Sequence, residues 1–450
     1  MVARSRAAAR VLPVTARRQT EGRIRSRAAG PAAPGVDPRS PEASDRRVVL
    51  NPAPVEIIIV NWNGRQQTLE CLAAVQAQLG EVPGAVIAVV DNGSTDGSQT
   101  AIASRYPGVR LFALDQNRGF TGGIAAALRA STARNVIFLN NDAVPERGWL
   151  AALVHAIDAS PDDVMSIAGK IIDLDGKLID FIGGVMTFDG HAFQTAFRFP
   201  LGSIAEALPG AELLFACGGN MISRRAPLVE LGGFDDDYFA YLEDVDFGWR
   251  SWITGYRVLY EPHAVVRHAS SATSNRLGAF ERGVLFERNA LQTALKNYED
   301  ESLRDTAGAV FYAYLHRLHH YAVTRNERIG ELRRNPFEGA LREAPKRSLI
   351  GRVRRKLFGP PALARIDDPL TAMQFRAFEW ILQNQERIAI KRRAVQQRRR
   401  RSDTEIFAKF PLNIVPTYPG DDALMNGALF RMLRPRLDSV DRKLGDIIRT

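Results

Sequence analysis

The stretch Val55-Glu56-Ile57-Ile58-Ile59-Val60 is an apolar run of mainly β-branched residues, and it stops abruptly at Asn61-Trp62-Asn63-Gly64. A run of this length and composition is typical of a buried strand in a parallel sheet. The alternation continues along the chain, with further strands expected at 86–90, 109–114 and 135–139 and helices at 65–79, 96–105 and 122–132. Strands and helices that alternate at this spacing form βαβ units, so the sequence predicts an α/β domain with a parallel sheet.

Polar residues follow three of these strands at the point where each strand ends. They are Asn61-Trp62-Asn63-Gly64, Asp91-Asn92-Gly93-Ser94 and Asn140-Asn141-Asp142. Ligands of parallel sheets bind beyond the carboxyl ends of the strands. Asp91 could accept hydrogen bonds from a nucleotide base or ribose, or it could form only an Asx turn before the next helix. Asp142 suits Mg²⁺ or Mn²⁺, because hard cations prefer oxygen ligands, although Asn-Asn-Asp is also a good turn sequence.

The composition excludes several classes of protein. The 450 residues are 45% hydrophobic and 24% charged, which excludes a wholly disordered chain, a collagen and a short disulfide-stapled domain. The two cysteines, Cys71 and Cys217, are interpreted as free thiols in a reducing compartment. No apolar run reaches the roughly 18–20 residues that a membrane span needs, and the N-terminal residues do not have the apolar core of a secretory signal.

The charge is distributed unevenly along the chain, although the net charge is +10. Residues 1–50 carry +7, residues 51–315 carry −11, residues 316–401 carry +14 and residues 402–450 are neutral. We therefore expect four parts, which are a disordered basic arm at 1–50, a catalytic domain at 51–300, a basic helical region at 301–401 and a tail at 402–450.

A second cluster of candidate residues lies between 235 and 246. Glu243, Asp244 and Asp246 follow three consecutive aspartates at 235–237, and aromatic residues flank the group. Such crowding of carboxylates raises repulsion unless cations bind or protons stay. The pattern favours a partly buried cleft, with a solvated first turn of a helix as the alternative. His268 follows a strand-like segment and is either a metal ligand or an ordinary core or surface histidine.

Taken together, these motifs resemble the inverting family 2 glycosyltransferases, most closely the rhamnosyltransferase and galactofuranosyltransferase-like branch, over roughly residues 54–300. The matching motifs are IVNWNG at 59–64, DNGSTDGS at 91–98, NRGFTGG at 117–123, LNND at 139–142, GGNM at 218–221, GGFD at 232–235, EDVDFGWR at 243–250, and His268. The resemblance implies a GT-A fold with a mainly parallel central sheet, followed here by a helical C-terminal region.

The resemblance also implies a role for each matched residue. It implies that Asp244, with Glu243 beside it, is the catalytic base and that Asp142 and His268 hold a divalent metal, Mg²⁺ or Mn²⁺. It places the donor nucleotide at Asn61, Asn63, Asp91, Asn117, Arg118, Gly119 and Asn141. It places the acceptor side at Trp249, Arg250 and Asp246. The sequence departs from the family pattern at Asn140, where relatives have the first acid of the metal-binding motif, and at Ile124-Ala125-Ala126, where relatives often have Asn.

The expected reaction is a single displacement. A metal ion neutralises the diphosphate leaving group, so no protein general acid is required. Asp244 takes the proton from an acceptor hydroxyl as that oxygen attacks the anomeric carbon, and the configuration inverts. The expected donor is a dTDP- or UDP-sugar, with rhamnose a candidate sugar, and the expected acceptor is a cell-envelope glycan or a lipid-linked saccharide.

Two clusters in the basic helical region, 346–356 and 391–401, predict contact of residues 316–401 with an anionic membrane surface, where each basic residue contributes about 1 kcal/mol. This would place a cytoplasmic protein peripherally on the inner face of the membrane. The alternatives are a solvated appendage or a dimer contact. A nucleic-acid-binding protein is a rival interpretation, but no nucleic acid is expected because the basic segments lack interleaved aromatic residues. A third alternative, raised by Asn140, is an inactive relative that binds sugar nucleotides.

Overall fold

The computed structural model describes residues 53–269, 277–325 and 368–449. These described residues belong to one compact unit, so the segments expected as a helical region and a tail pack onto the sheet domain. The expected arm at 1–50 and the basic cluster at 346–356 lie outside the described residues. Both cysteines are free. Among the described helices, none is long and apolar enough to cross a membrane.

The first half of the chain alternates strands and helices as expected. Its elements are β1 (Val55–Asn61), α1 (Arg65–Gln76), β2 (Val86–Asp91), α2 (Ser98–Arg105), β3 (Arg110–Ala113), α3 (Gly119–Ala130), β4 (Asn135–Asn140), β5 (Ala143–Pro145) and α4 (Trp149–Asp158). Less regular elements follow, namely β6 (Val164–Asp173), β7 (Ile179–Phe181), β8 (Gly184–Met186), β9 (Ala192–Gln194), β10 (Asn220–Arg224) and α5 (Arg225–Glu230).

Helices dominate the rest of the described chain. The elements are α6 (Glu243–Ile253), β11 (Arg257–His268), α7 (Ala279–Asn297), α8 (Asp300–Arg325), α9 (Pro369–Gln383), α10 (Gln385–Gln397), α11 (Asp403–Lys409), β12 (Leu412–Ile414), α12 (Asp421–Met425), α13 (Ala428–Leu433) and β13 (Ser439–Asp441). Short 3₁₀ turns lie at Leu79–Glu81, Asp236–Tyr238 and Leu444–Asp446. The expected α/β class with a helical C-terminal region is therefore confirmed.

The main sheet has the strand order β3-β2-β1-β4-β10-β6-β11-β5, with β7 paired to β6. The strands β1 to β4 are parallel to one another, whereas β10 runs antiparallel between β4 and β6. The sheet is thus mixed rather than parallel throughout. Its register pairs Asn61 with Asp91 and Val60 with Asn140, so the polar strand ends meet at one edge.

Close packing of α3 on β1 fixes this edge. The strand β1 is almost completely buried, with Ile57, Ile58 and Ile59 fully inaccessible. Gly123 of α3 lies directly over Val60, where an added Cβ would come within 2.8 Å of a valine methyl carbon. Only glycine allows this approach, so the GlyGly pair at 122–123 brings the start of α3 against the end of β1.

Several of the basic residues at 391–401 contact the rest of the protein. Lys391 pairs with Asp235 and Asp237, and Arg399 pairs with Asp403 at 3.0 Å. The guanidinium of Arg401 donates to the backbone oxygen of Tyr256 at 2.7 Å. Other arginines of this stretch are exposed, so contact of the basic region with an anionic surface stays a prediction.

A buried ionic network ties α7, α8, α12 and the turn between β8 and β9 together. Arg317, which is 1% exposed, pairs with Asp189 at 2.7 Å and with Asp421 at 2.9 Å. His191 lies 3.1 Å from Asp189 and 3.5 Å from Glu287. Burial alone would lower the pKa of His191, but the charges of Asp189 and Glu287 outweigh burial and raise it to about 9.

Replacing the central cation of this network should destabilise the fold strongly. Arg317→Leu leaves Asp189 and Asp421 buried without their partner, so we expect the free energy of unfolding to fall by about 3–5 kcal/mol. Urea denaturation followed by circular dichroism measures the loss. Arg434→Leu is the control, because it breaks an exposed pair with Asp441 and should change stability little. Equal losses in the two variants would contradict the prediction.

Candidate active site

A cavity of about 670 Å³ opens at the sheet edge where β1 and β4 end. It brings together seven of the residues singled out in the sequence, which are Asn117, Gly119, Asn141, Asp142, Glu243, Asp244 and His268. A pocket of this size is large enough for a small-molecule ligand.

Asn61 and Asp91 lie behind the cavity wall and do not line it. Both are fully buried, and the Asn61 amide nitrogen donates to Asp91 at 2.8 Å. The Asn61 amide oxygen accepts hydrogen bonds from Thr68 at 2.8 Å and from Asn141 at 3.2 Å. This network fixes the strand ends, and a nucleotide contact by Asn61 or Asp91 stays a prediction.

Asn63 and Arg118 likewise shape loops next to the cavity. The Asn63 side chain accepts a hydrogen bond from the Thr95 backbone at 2.7 Å, and Arg118 pairs with Asp115 at 3.0 Å. Neither side chain lines the cavity. Their expected contact with the donor also stays a prediction.

Asn92 lines the cavity, although it was not among the residues predicted for the site. Its amide nitrogen donates to the side chain of Asn117 at 3.0 Å and to the backbone oxygen of Gly119 at 2.8 Å. Its amide oxygen accepts from the Arg118 backbone at 2.9 Å. Asn92 therefore holds the loop at 117–119 on the cavity wall. Its position directly after Asp91 was the available sequence signal.

Asp142 and His268 meet at one end of the cavity. Since β11 pairs with β5, His268 lies opposite Ala143, the residue after Asp142. The His268 Nε2 atom is 3.1 Å from Asp142, and its Nδ1 atom is 2.7 Å from Asp180 of β7. Burial alone would lower the pKa of His268, but hydrogen bonds and charges from the two aspartates raise it to about 10.

These residues fit one divalent ion that shares its coordination with a substrate. Two ligands at about 2.1 Å from an octahedral ion lie about 3 Å apart, close to the observed separation of Asp142 and His268. Asp180 holds the other ring nitrogen, as carboxylates commonly do for metal-binding histidines. Within the described residues, no group of three or more His, Cys, Asp or Glu side chains is arranged to hold a metal. Substrate phosphates and water would therefore supply the other ligands.

Glu243 and Asp244 lie at the start of α6, on the cavity wall. Asp244 accepts hydrogen bonds from the backbone of Gly218 at 3.1 Å and of Val245 at 2.9 Å. Burial raises the pKa of Asp244 despite these bonds. Burial, reinforced by the charge of Asp244, raises the pKa of Glu243 well above its usual range. The buried Glu243 Oε2 atom has no hydrogen-bond partner among the described residues. The pair is therefore suited to hold one proton, with Glu243 keeping it.

The loop that leads into this pair has a strained backbone. Phe239, Tyr241 and Leu242 have φ angles of 64°, 70° and 62°, which cost non-glycine residues about 1–3 kcal/mol each. The buried Asn289 of α7 stabilises the loop. Its amide nitrogen lies 3.0 Å, 2.9 Å and 2.8 Å from the backbone oxygens of Tyr238, Ala240 and Tyr241. Asn289 is far from the loop in sequence, and no motif marked it.

The same loop also contacts the start of α3. Gly119 has a φ angle of 74°, and a Cβ atom there would lie 2.3 Å from the backbone oxygen of Phe239. The Thr121 backbone nitrogen donates to that oxygen at 3.3 Å. The loop at 117–119 and the loop before Asp244 are therefore in direct contact.

The three residues expected on the acceptor side lie away from the cavity, and their contact with an acceptor stays a prediction. Trp249 is fully buried against Tyr298, with ring centroids 4.8 Å apart. Asp246 is also buried and pairs with Arg250 at 2.8 Å and with Lys296 at 2.8 Å. None of these three expected residues lines the cavity. The reason is that α6 is buried on nearly every face, and only its first turn reaches the cavity.

Aromatic residues form a large part of the cavity wall. This aromatic wall consists of Phe181, Phe193, Phe197, Phe215 and Phe286, with Arg198 beside it. Most of these residues come from the irregular region around β7 to β9, where the sequence pattern indicated strands but no site. The wall provides apolar area suited to a ligand with an apolar part.

The chain is similar in sequence to known glycosyltransferases. Residues 56–232 match the family model for glycosyl transferase family 2. An N-acetylglucosaminyl-diphospho-decaprenol L-rhamnosyltransferase of Mycobacterium tuberculosis is 29% identical over 213 residues, 42% of this chain and 68% of the relative. A pre-mycofactocin glycosyltransferase of the same organism is 28% identical over 185 residues, 40% of this chain and 37% of the relative.

The chain is also similar to a solved structure, the crystal structure of GalNAc-T7 with UDP, GalNAc and Mn²⁺. It is similar with a TM-score of 0.45 at 17% identity, over 59% of this chain and about half, 51%, of that chain. The match over residues 56–232 and the named relatives identify a glycosyltransferase. They confirm the resemblance inferred from the motifs, which is to family 2 glycosyltransferases of the rhamnosyltransferase-like branch.

Asn289→Ala should slow catalysis by releasing the strained loop. We expect kcat to fall about tenfold or more, with a smaller change in the KM for the donor, because misplacing a catalytic group affects the transition state most. Release of nucleoside diphosphate from a nucleotide sugar measures both constants.

The control for this prediction is Asn384→Ala. Asn384 also donates to a backbone oxygen, that of Trp380 at 2.8 Å, but it lies outside the cavity. Urea denaturation verifies that both variants are folded. Equal kcat values for Asn289→Ala and Asn384→Ala would contradict the positioning role of Asn289.

Proposed function

We propose that the protein is an inverting glycosyltransferase that moves a sugar from a dTDP- or UDP-sugar to a hydroxyl of a cell-envelope glycan or lipid-linked saccharide. The observation that carries this proposal is one cavity that holds the half-buried carboxylate Asp244 together with the Asp142–His268 pair. A base and a diphosphate-binding end in one cavity are the two elements that a single displacement needs.

Asp142 and His268 would hold Mg²⁺ or Mn²⁺, and Asp180 would orient the His268 ring. The ion would neutralise the charge that develops on the departing diphosphate. Asn117 and Gly119, held by Asn92, would border the nucleotide. These residues support the donor end of the proposed site.

On the acceptor side of the proposed site, Asp244 takes the proton from the acceptor hydroxyl. Glu243 keeps its own proton, because burial and the charge of Asp244 both raise its pKa. Asp244 is therefore the member of the pair that is available as a base. Attack by the acceptor oxygen on the face opposite the diphosphate gives a product with inverted configuration.

The acceptor is proposed from two observations. The relative from Mycobacterium tuberculosis is named for an acceptor that joins a saccharide to a lipid through a diphosphate. The aromatic wall provides an apolar surface in the same cavity as Glu243 and Asp244. Such an acceptor lies at a membrane, so a peripheral position on its inner face is part of the proposal. The sugar carried by the donor, with rhamnose as the leading candidate, is proposed from the same relative.

Nucleotide binding tests the donor end directly. We expect isothermal titration to show binding of UDP or dTDP that is strengthened by Mn²⁺, and at least tenfold weaker metal-dependent binding in Asp142→Asn. Asp175→Asn is the matched control, because Asp175 is exposed and lies away from the cavity. Equal affinities of the two variants would contradict the assignment of Asp142. Nucleotide binding without any turnover would favour the inactive relative instead.

The pH dependence of catalysis tests the base. The pKa of Asp244 is raised by burial, so kcat/KM should fall as the pH drops through a value above the usual aspartate range. Asp244→Asn should lose at least 10²-fold in kcat, whereas Glu243→Gln should retain most activity because Gln resembles the protonated acid. Rate profiles from pH 4 to pH 9 measure these effects. A product with retained anomeric configuration, identified by NMR, would refute the proposed single displacement.

A further inference from the structure

One cation on the cavity wall is not used by the proposed mechanism. Arg198 lies beside the aromatic wall, and it is the only arginine or lysine among the residues that line the described cavity. Its guanidinium stacks over Phe197 with 5.2 Å to the ring centroid. Within the described residues, no carboxylate lies within ion-pair distance of it.

The backbone around Arg198 is strained and firmly held. Ala196 and Arg198 have φ angles of 57° and 65°. The Arg198 nitrogen donates to Ile179 at 2.7 Å, and Phe197 exchanges backbone hydrogen bonds with Ile447 at 3.2 Å and Arg449 at 2.8 Å. Non-glycine residues keep such φ angles only where their surroundings impose them, and these positions cluster at functional sites.

The position of Arg198 places it near the metal-binding end of the cavity. Its backbone nitrogen donates to Ile179 of β7, the residue directly before Asp180. Asp180 in turn holds the Nδ1 atom of His268 at 2.7 Å. The turn that carries Arg198 is therefore attached to the strand that supports the metal-binding pair.

Arg198 contrasts with the acidic side chains on the same wall, which are those of Asp142, Asp180, Glu243 and Asp244. Among the described residues that line the cavity, it is the one side chain with a permanent positive charge. A phosphate in the cavity could therefore bind Arg198 in addition to a divalent ion.

We infer that Arg198 binds a phosphate group of a substrate, either in the diphosphate of the donor or in a phosphate that links the acceptor saccharide to a lipid. The planar guanidinium can donate two parallel hydrogen bonds to phosphate oxygens, which a single ammonium cannot do. This inference rests on the proposed function and adds a binding residue to it.

The test compares Arg198→Met and Arg198→Lys with the control Arg105→Met. Met keeps much of the apolar contact of the arginine stem. Arg105 also stacks on a neighbouring aromatic ring, Tyr106, at 5.9 Å, but it lies outside the cavity. The probes are UDP and dTDP with Mn²⁺, a short-chain isoprenyl diphosphate carrying N-acetylglucosamine, and octyl N-acetylglucosaminide, which lacks phosphate.

If Arg198 contacts the donor, Arg198→Met should bind the nucleotide about tenfold or more weakly than wild type. The affinity of Arg198→Lys should then lie between those of Arg198→Met and wild type. An acceptor contact predicts unchanged nucleotide affinity but a KM about tenfold or more higher for the diphosphate acceptor, with no change for the octyl glycoside. If Arg198→Met matches Arg105→Met with every probe, the inference is wrong. Failure of the proposed function is distinguishable, because wild type would then bind neither nucleotide.

Discussion

A buried cluster of opposite charges holds the catalytic part of the structure together. Asp235 pairs with Lys296 at 2.6 Å, and Lys296 also contacts Asp246 at 2.8 Å. Asp246 in turn binds Arg250, while Lys391 of α10 reaches Asp235. Charges removed from water are tolerated only when they are paired, so α6, α7 and α10 are constrained to one arrangement. The strained loop that leads into Glu243 and Asp244 lies in the chain between Asp235 and Asp246, so these ion pairs hold both of its ends.

The cluster also explains the uneven charge of the sequence. The acidic body and the basic stretch after residue 316 suggested two surfaces of opposite sign, with the basic one free to bind an anionic partner. Among the described residues near 391–401, basic side chains instead contact acidic side chains of the same molecule. Lys391 and Arg399 contact carboxylates, while Arg401 satisfies backbone oxygens of the body. Part of the basic charge is therefore neutralised within the molecule, which cannot be read from composition.

The parts of the fold that the sequence predicted are those set by local patterns. The strand at 55–61 and the polar residues at its end follow from β-branched runs and turn residues, and the motif order brought Asp142 and His268 together. Contacts between distant segments were not predictable. The insertion of β10, the support of His268 by Asp180 and the bonds from Asn289 all depend on tertiary packing. The burial of Trp249 could not be predicted either, because α6 is buried on nearly every face and its sequence does not mark which side reaches the cavity.

The last described residues of the chain help to form the cavity wall. Backbone bonds from Ile447 and Arg449 hold the turn that carries Phe197 and Arg198. Ile447 and Arg449 lie some three hundred residues after Asp142, which lines the same cavity. On the ribosome, the sheet edge can assemble while the turn at 196–198 still lacks its outer support. A nascent chain therefore holds the donor-side residues before it has a finished cavity, and the complete site forms only after synthesis has passed residue 449.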